Sequence, residues 1–77
     1  MNEQCRKFEE RTKLGPTFVA KLIGTAYSNY SPMRAGRKPL PPYISRCMEA
    51  MMLLSEEALN QLIGKYVMKA KDREADF

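Results

Sequence analysis

"FVAKLIGTAYSNYSPMRAGRKPL", residues 18–40, sets one glycine between two short helical patterns. Ahead of it, Phe18, Val19, Leu22 and Ile23 follow an i, i+1, i+4, i+5 spacing that gives a short helix one apolar face. Gly24 ends that helix, because glycine takes the left-handed conformation after a helix without a Cβ penalty. A second short helix is expected over 27–35, with Tyr30 and Met33 facing inward and Gly36 closing it. Ala20 lies four residues before Gly24, Val19 and Ile23 flank it, and Tyr30 and Met33 sit six and nine after it. Small, apolar, glycine, apolar, apolar is the order needed by two helices that cross closely at a corner.

Outward from this pair, everything reads as helix and turn. Residues 2–13 carry a weak apolar face of Cys5, Phe8 and Thr12, with Lys13 at the end where a cation suits the helix dipole. Gly15-Pro16 is a stop followed by a start, since proline loses no amide bond at a first helical position. "RKPLPP" cannot be regular helix. Pro42 opens a fourth helix, 42–54, with Ile44, Met48, Met51 and Met52 or Leu53 on its buried side. Ser55 is the expected N-cap of a fifth, with Glu56 and Glu57 in its first turn and a stripe of Leu59, Leu62, Ile63, Tyr66 and Val67. No period-2 strand pattern occurs, so the expected class is all-α: a compact five-helix bundle in one domain, residues 1–71, with a frayed tail at 72–77.

A chain of 77 residues buries only roughly 60–65% of its unfolded surface. Helices 4 and 5, at 42–71, carry surplus apolar area, and Met48, Met51, Met52, Leu59, Leu62, Ile63 and Tyr66 are expected to form a homodimer seam. With no histidine and only two cysteines, neither a zinc site nor any other cofactor is expected. No nucleophile with a partner base can be assembled, so the chain does not read as an enzyme. Cys5 and Cys47 can pair, but reduced thiols are favoured in an intracellular chain. The absence of a ~20-residue apolar run and of an apolar signal core points to a cytoplasmic protein with no membrane partner.

Charge is the strongest functional signal. The formal net charge is +4, yet no acid stands between Glu10 and Glu49, where Arg11, Lys13, Lys21, Arg34, Arg37, Lys38 and Arg46 all fall. A one-signed stretch of this length favours a polyanionic partner, with nucleic acid ahead of membrane.

The same stretch resembles the lambda-repressor and Cro-like (XRE-type) helix-turn-helix domain of phage and plasmid regulators, through "LIG", a tyrosine-containing second helix, "RAGR" and "LPPYI" in that order. The likeness runs from residue 14 to about 66, with the helix-turn-helix core at 16–36. It implies a five-helix fold that binds operator DNA as a homodimer and regulates transcription. By position, Tyr27, Ser28, Asn29 and Ser31 match the residues that reach base edges in the major groove. Thr17, Arg34, Arg37 and Lys38 match those that touch phosphates. Small polar groups suit a helix that must approach the groove floor, where a carboxylate would be repelled. Three residues depart from the pattern. Pro16 stands where many relatives have a glutamine that touches phosphate, and Tyr30 is larger than the usual inward aliphatic residue. Pro32 falls inside the recognition helix, which must either start late, with Ser31 as cap, or have a distorted first turn.

The expectation is a sequence-specific, phage or mobile-element repressor that holds double-stranded DNA at an inverted repeat. The alternative is a helical protein-interaction module, an antirepressor or host-protein inhibitor that keeps the fold without base reading, with a protein as its partner. Non-specific DNA compaction is a third reading.

Overall fold

The computed structural model describes residues 1–67, and the expected tail at 72–77 lies outside them. Five helices follow in order: α1 (Glu3–Thr12), α2 (Pro16–Ile23), α3 (Tyr27–Arg34), α4 (Pro42–Met52) and α5 (Glu56–Tyr66), with no strand among the described residues.

The helix ends have chemical causes. The Asn2 side chain caps α1 by accepting the Cys5 amide at 3.0 Å, and the Ser55 hydroxyl caps α5 by accepting the Ala58 amide at 3.1 Å. Prolines begin α2 and α4, where no side chain caps the helix. Two glycines in the left-handed region, Gly24 (φ 79°) and Gly36 (φ 85°), follow α2 and α3. The bonding is the same at both. Thr25 N–H donates to the Ala20 carbonyl and Gly24 N–H to Lys21; Arg37 N–H donates to Pro32 and Gly36 N–H to Met33. These six-to-one and five-to-two bonds satisfy the last carbonyls of each helix and turn the chain sharply. At the end of α1 the left-handed residue is Lys13 (φ 58°).

The core joins Cys5 and Phe8 of α1, Val19, Ala20 and Leu22 of α2, Tyr30 and Met33 of α3, Ile44 and Met48 of α4, and Leu59 and Ile63 of α5, with Leu14 from the loop after α1. Phe18, Ile23, Met51, Leu62 and Val67 pack partly against it. α2 is the central element, in contact with α3, α4 and α5, while α1 packs on α4. Gln4 strengthens the α1–α4 seam: its amide donates to the Ser45 carbonyl at 2.9 Å and accepts the Ser45 hydroxyl at 2.8 Å. Arg11 reaches the Leu54 carbonyl at 2.9 Å.

Several expectations are corrected here. Met48, Leu59 and Ile63 are 0–1% exposed, so they belong to the chain's own core and are not surface from which a seam can be built. Neither Met52 nor Leu53 takes a buried place on α4: the helix ends at Met52, and the two are 38% and 84% exposed. Tyr66 shares the Leu59 face by helical angle, yet it stands in the last turn of α5 and is 55% exposed, with Lys65 Nζ 5.3 Å from its ring centroid. Pro32 does not delay α3, which runs from Tyr27 through it to Arg34 with Ala26 as N-cap. The proline removes only the amide that would have bonded the carbonyl of Ser28, and Ser28 is exposed to water.

Candidate nucleic-acid interface

α2 and α3 are joined by Gly24, Thr25 and Ala26, and the left-handed Gly24 makes the corner. Ala20, four residues before the corner, is 2% exposed in the core, where a larger side chain would be overpacked. Tyr30 and Met33 turn inward, fully buried and 5% exposed respectively, and so set the rotation of α3. At about 100° per residue, Ser28, Ser31, Pro32 and Ala35 then lie on the opposite side. Tyr27 and Arg34 fall on the flank nearer α1, and Asn29 on the other flank. Ser28, Asn29, Tyr27 and Ala35 are exposed; Ser31 and Pro32 are half-buried. The outer ridge of α3 is therefore built of small, uncharged side chains.

Several cations are exposed in the same acid-free part of the chain. Thr17 and Lys21 are exposed one turn apart on α2, Arg37 and Lys38 are exposed after α3, and Arg46 is exposed on α4. Among the described residues none of these four cations is in an ion pair.

Arg34 differs from them, and its expected role as a phosphate contact is corrected. Its guanidinium grips Glu9 of α1 with both ends, Nε to Oε2 at 2.6 Å and Nη2 to Oε1 at 3.0 Å, while the Tyr30 hydroxyl donates to the same Oε2 at 2.7 Å. The Glu9 side chain is only 12% exposed. Its carboxylate raises the Arg34 pKa further above its ordinary value. Burial, reinforced by the bond to Glu9, holds the Tyr30 phenol well above the usual tyrosine range. The Asn2 amide also donates to the Arg34 carbonyl at 2.8 Å, so α1 is tied to the end of α3 by side chain and backbone together. Arg34 is thus a strut of the helix pair. Nothing in the local sequence pairs Glu9 with residues 21 and 25 positions away, and only packing α1 across α3 brings them together.

A recess opens between α3 and α4. It has a volume of about 270 Å³ and is lined by Asn29, Met33, Lys38, Pro39, Pro41 and Tyr43, with Thr25 at its edge. Tyr43 is 72% exposed and had no role from sequence reasoning; its aromatic ring beside proline and a cation was the available signal. Asn29, read from sequence as part of the base-contacting row, lines this recess on the side of α3 toward α4. A larger open depression of about 680 Å³ over the first turns of α5 is lined by Glu56, Glu57, Asn60 and Gln61 and has no cation in its lining.

Both cysteines are free thiols: Cys5 is buried, which pushes its pKa up, and Cys47 is half-buried. No described helix is long and apolar enough to cross a membrane. Comparison with protein-family models, with characterised proteins and with solved structures finds no match.

Proposed function

We propose that the chain is a sequence-specific, double-stranded-DNA-binding regulator that uses α2 and α3 as a helix-turn-helix, in the manner of the Cro-like repressors it resembles. One observation carries this reading. The outer ridge of α3 is small and uncharged, and the acid-free part of the chain that contains it also carries Lys21, Arg37, Lys38 and Arg46, all exposed and none in an ion pair among the described residues. Such a ridge can come close to base edges, while the cations take the phosphates on either side. Tyr27, Ser28 and Ser31 are the base-reading residues in this account; Thr17, Arg37 and Lys38 are the phosphate contacts, and Arg34 acts through Glu9 by holding α3 in place.

Two copies would present α3 to successive major grooves about 34 Å apart, so the operator would be an inverted repeat. The apolar surface left for a twofold seam is Met52, Leu53 and Tyr66, supported by half-buried Met51 and Leu62. Occupying a promoter in this way represses transcription without a cofactor.

Selection of bound fragments from a random duplex pool tests the reading. A palindromic consensus is the expected outcome. Recovery without sequence preference would mean compaction, and no recovery would leave the protein-interaction module. Arg37→Ala with Lys38→Ala should weaken all sequences alike and reduce the salt slope by about 0.9 per lost phosphate contact. Ser28→Ala should alter the consensus at one position in each half-site, and Leu53→Glu should lower the dimer fraction in sedimentation.

A further inference from the structure

The recess between α3 and α4 has chemistry that, Lys38 apart, duplex reading does not use. Its floor is Met33, 5% exposed and part of the core. Pro39 and Pro41 form its walls, with φ fixed by their rings, so the walls are rigid as well as apolar. Tyr43, in the first turn of α4, adds an aromatic ring that is 72% exposed. Three polar side chains, Asn29, Lys38 and Tyr43, line the recess beside these apolar groups. Among the described residues none of the three side chains has a hydrogen-bond or ion-pair partner, and the lining contains no acid. At about 270 Å³ the recess is smaller than a cavity for a drug-sized ligand, which starts near ~300 Å³.

A recess of mixed lining that sets methionine and two prolines beside one exposed aromatic side chain suits a flat ring with polar edges. A carboxamide can donate and accept along the edge of a heterocycle, which a hydrocarbon ring does not need. A lone lysine at the rim selects an anion attached to that ring. Planar heterocycle, polar edge and attached anion together describe a nucleotide. Bases in a duplex cannot enter, because both their faces are stacked and their edges are paired. The occupant must be unpaired.

We infer that this recess binds a nucleotide with an unpaired base, the base stacking on Tyr43 above Met33, Asn29 bonding its edge and Lys38 holding its phosphate. The nucleotide is supplied either by a single-stranded stretch of nucleic acid or as a free mononucleotide. The site shares Lys38 with the proposed duplex contacts but none of the base-reading residues of the outer ridge, so its base-binding part, Asn29 and Tyr43, stands whether or not that ridge reads a duplex.

The test is a titration of the full chain at low salt, followed by NMR shifts of the Asn29 side-chain amide and the Tyr43 ring. The probes are thymidine monophosphate, inorganic phosphate, an oligothymidylate of about ten residues and a mixed-sequence blunt duplex. The monophosphate and the oligothymidylate should shift both resonances, and inorganic phosphate should not shift the Tyr43 ring. Similar affinity for the two would identify the free nucleotide as the source; a much tighter oligonucleotide would identify the strand. Tyr43→Ala should weaken nucleotide binding about 5- to 150-fold, the range for losing one stacked base, while Tyr43→Phe should retain most of it. Tyr43 is exposed, so neither substitution threatens the fold. Lys38→Ala should lower the salt slope for the oligonucleotide by about 0.7. Inorganic phosphate reproducing the ring shift, or Tyr43→Ala binding like the wild type, would overturn the inference. A duplex that binds while neither nucleotide probe moves Tyr43 would also overturn it, leaving the duplex reading intact. Nucleotide binding without duplex binding would support it and refute the regulator.

Discussion

Replacing Glu9 with alanine should cost about 1–4 kcal/mol of stability, more than the lost ion pair alone accounts for. The larger part comes from Tyr30. Its residue is fully buried, and its hydroxyl donates to Glu9 Oε2 at 2.7 Å. Without the carboxylate that hydroxyl is stranded, at a cost of about 1–3 kcal/mol. Arg34 contributes less. Its side chain is 35% exposed and can turn to water, so after solvent screening the lost pair is worth no more than about 1 kcal/mol. A domain of 77 residues is stable by roughly 4–12 kcal/mol in all, so the loss is a substantial share. Urea unfolding followed by helical circular dichroism measures it directly. The cycle with Tyr30→Phe identifies the mechanism: phenylalanine strands no hydroxyl, so Glu9→Ala with Tyr30→Phe should be less destabilised than the two single changes added together, by about 1 kcal/mol or more. A Glu9→Ala cost within ~0.5 kcal/mol, the range of an ordinary surface change, or a coupling near zero, would refute the account of Arg34 and Tyr30 as struts on α1.

Two further outcomes follow from the same geometry. Gly24 and Gly64 both have nothing within 4 Å of an added Cβ, yet alanine should act oppositely at the two. At Gly24, with φ 79°, it should destabilise by about 1–2 kcal/mol through the left-handed backbone, whereas inside α5 Gly64→Ala should stabilise by about 0.5–1 kcal/mol, both read from thermal midpoints. Alkaline unfolding should carry the mark of Tyr30. Its folded pKa is raised, first by burial and then by the bond to Glu9, so above about pH 10 the unfolded chain releases a proton that the folded chain retains. The associated stability is fully present below that pH and falls by about 1.4 kcal/mol per pH unit above it. Tyr30→Phe should show a correspondingly flatter dependence in denaturant titrations between pH 9 and ~11; parallel curves for the two proteins would exclude this origin.

Local chemistry was enough to read the helices from the chain. Pro16, Gly24, Gly36, Pro42 and Ser55 act within one turn of where they stand, and each marks a helix boundary in the structure. Inward apolar positions such as Val19, Tyr30, Met33 and Ile44 were legible for the same reason, since helical spacing is a local property. Leu14 was not, because a loop residue has no periodicity to betray its burial.

The charges of the candidate interface were legible only as composition. An acid-free run announces a basic surface, but does not say which cations remain free. Arg34 sits in the same run as Arg37 and Lys38, yet Glu9 claims it and leaves the other two exposed. Met48 and Met52 lie one turn apart on α4, yet the core takes the first and leaves the second half in water. Tyr43 gains a place in a recess only because α3 and α4 close around the Pro39–Pro41 connector. Helix starts and stops depend on neighbours along the chain, so the amino-acid order alone determined them. Burial and charge pairing depend on neighbours across space: burial was decided when α3, α4 and α5 packed about α2, and the Arg34 pair when α1 brought Glu9 to the end of α3.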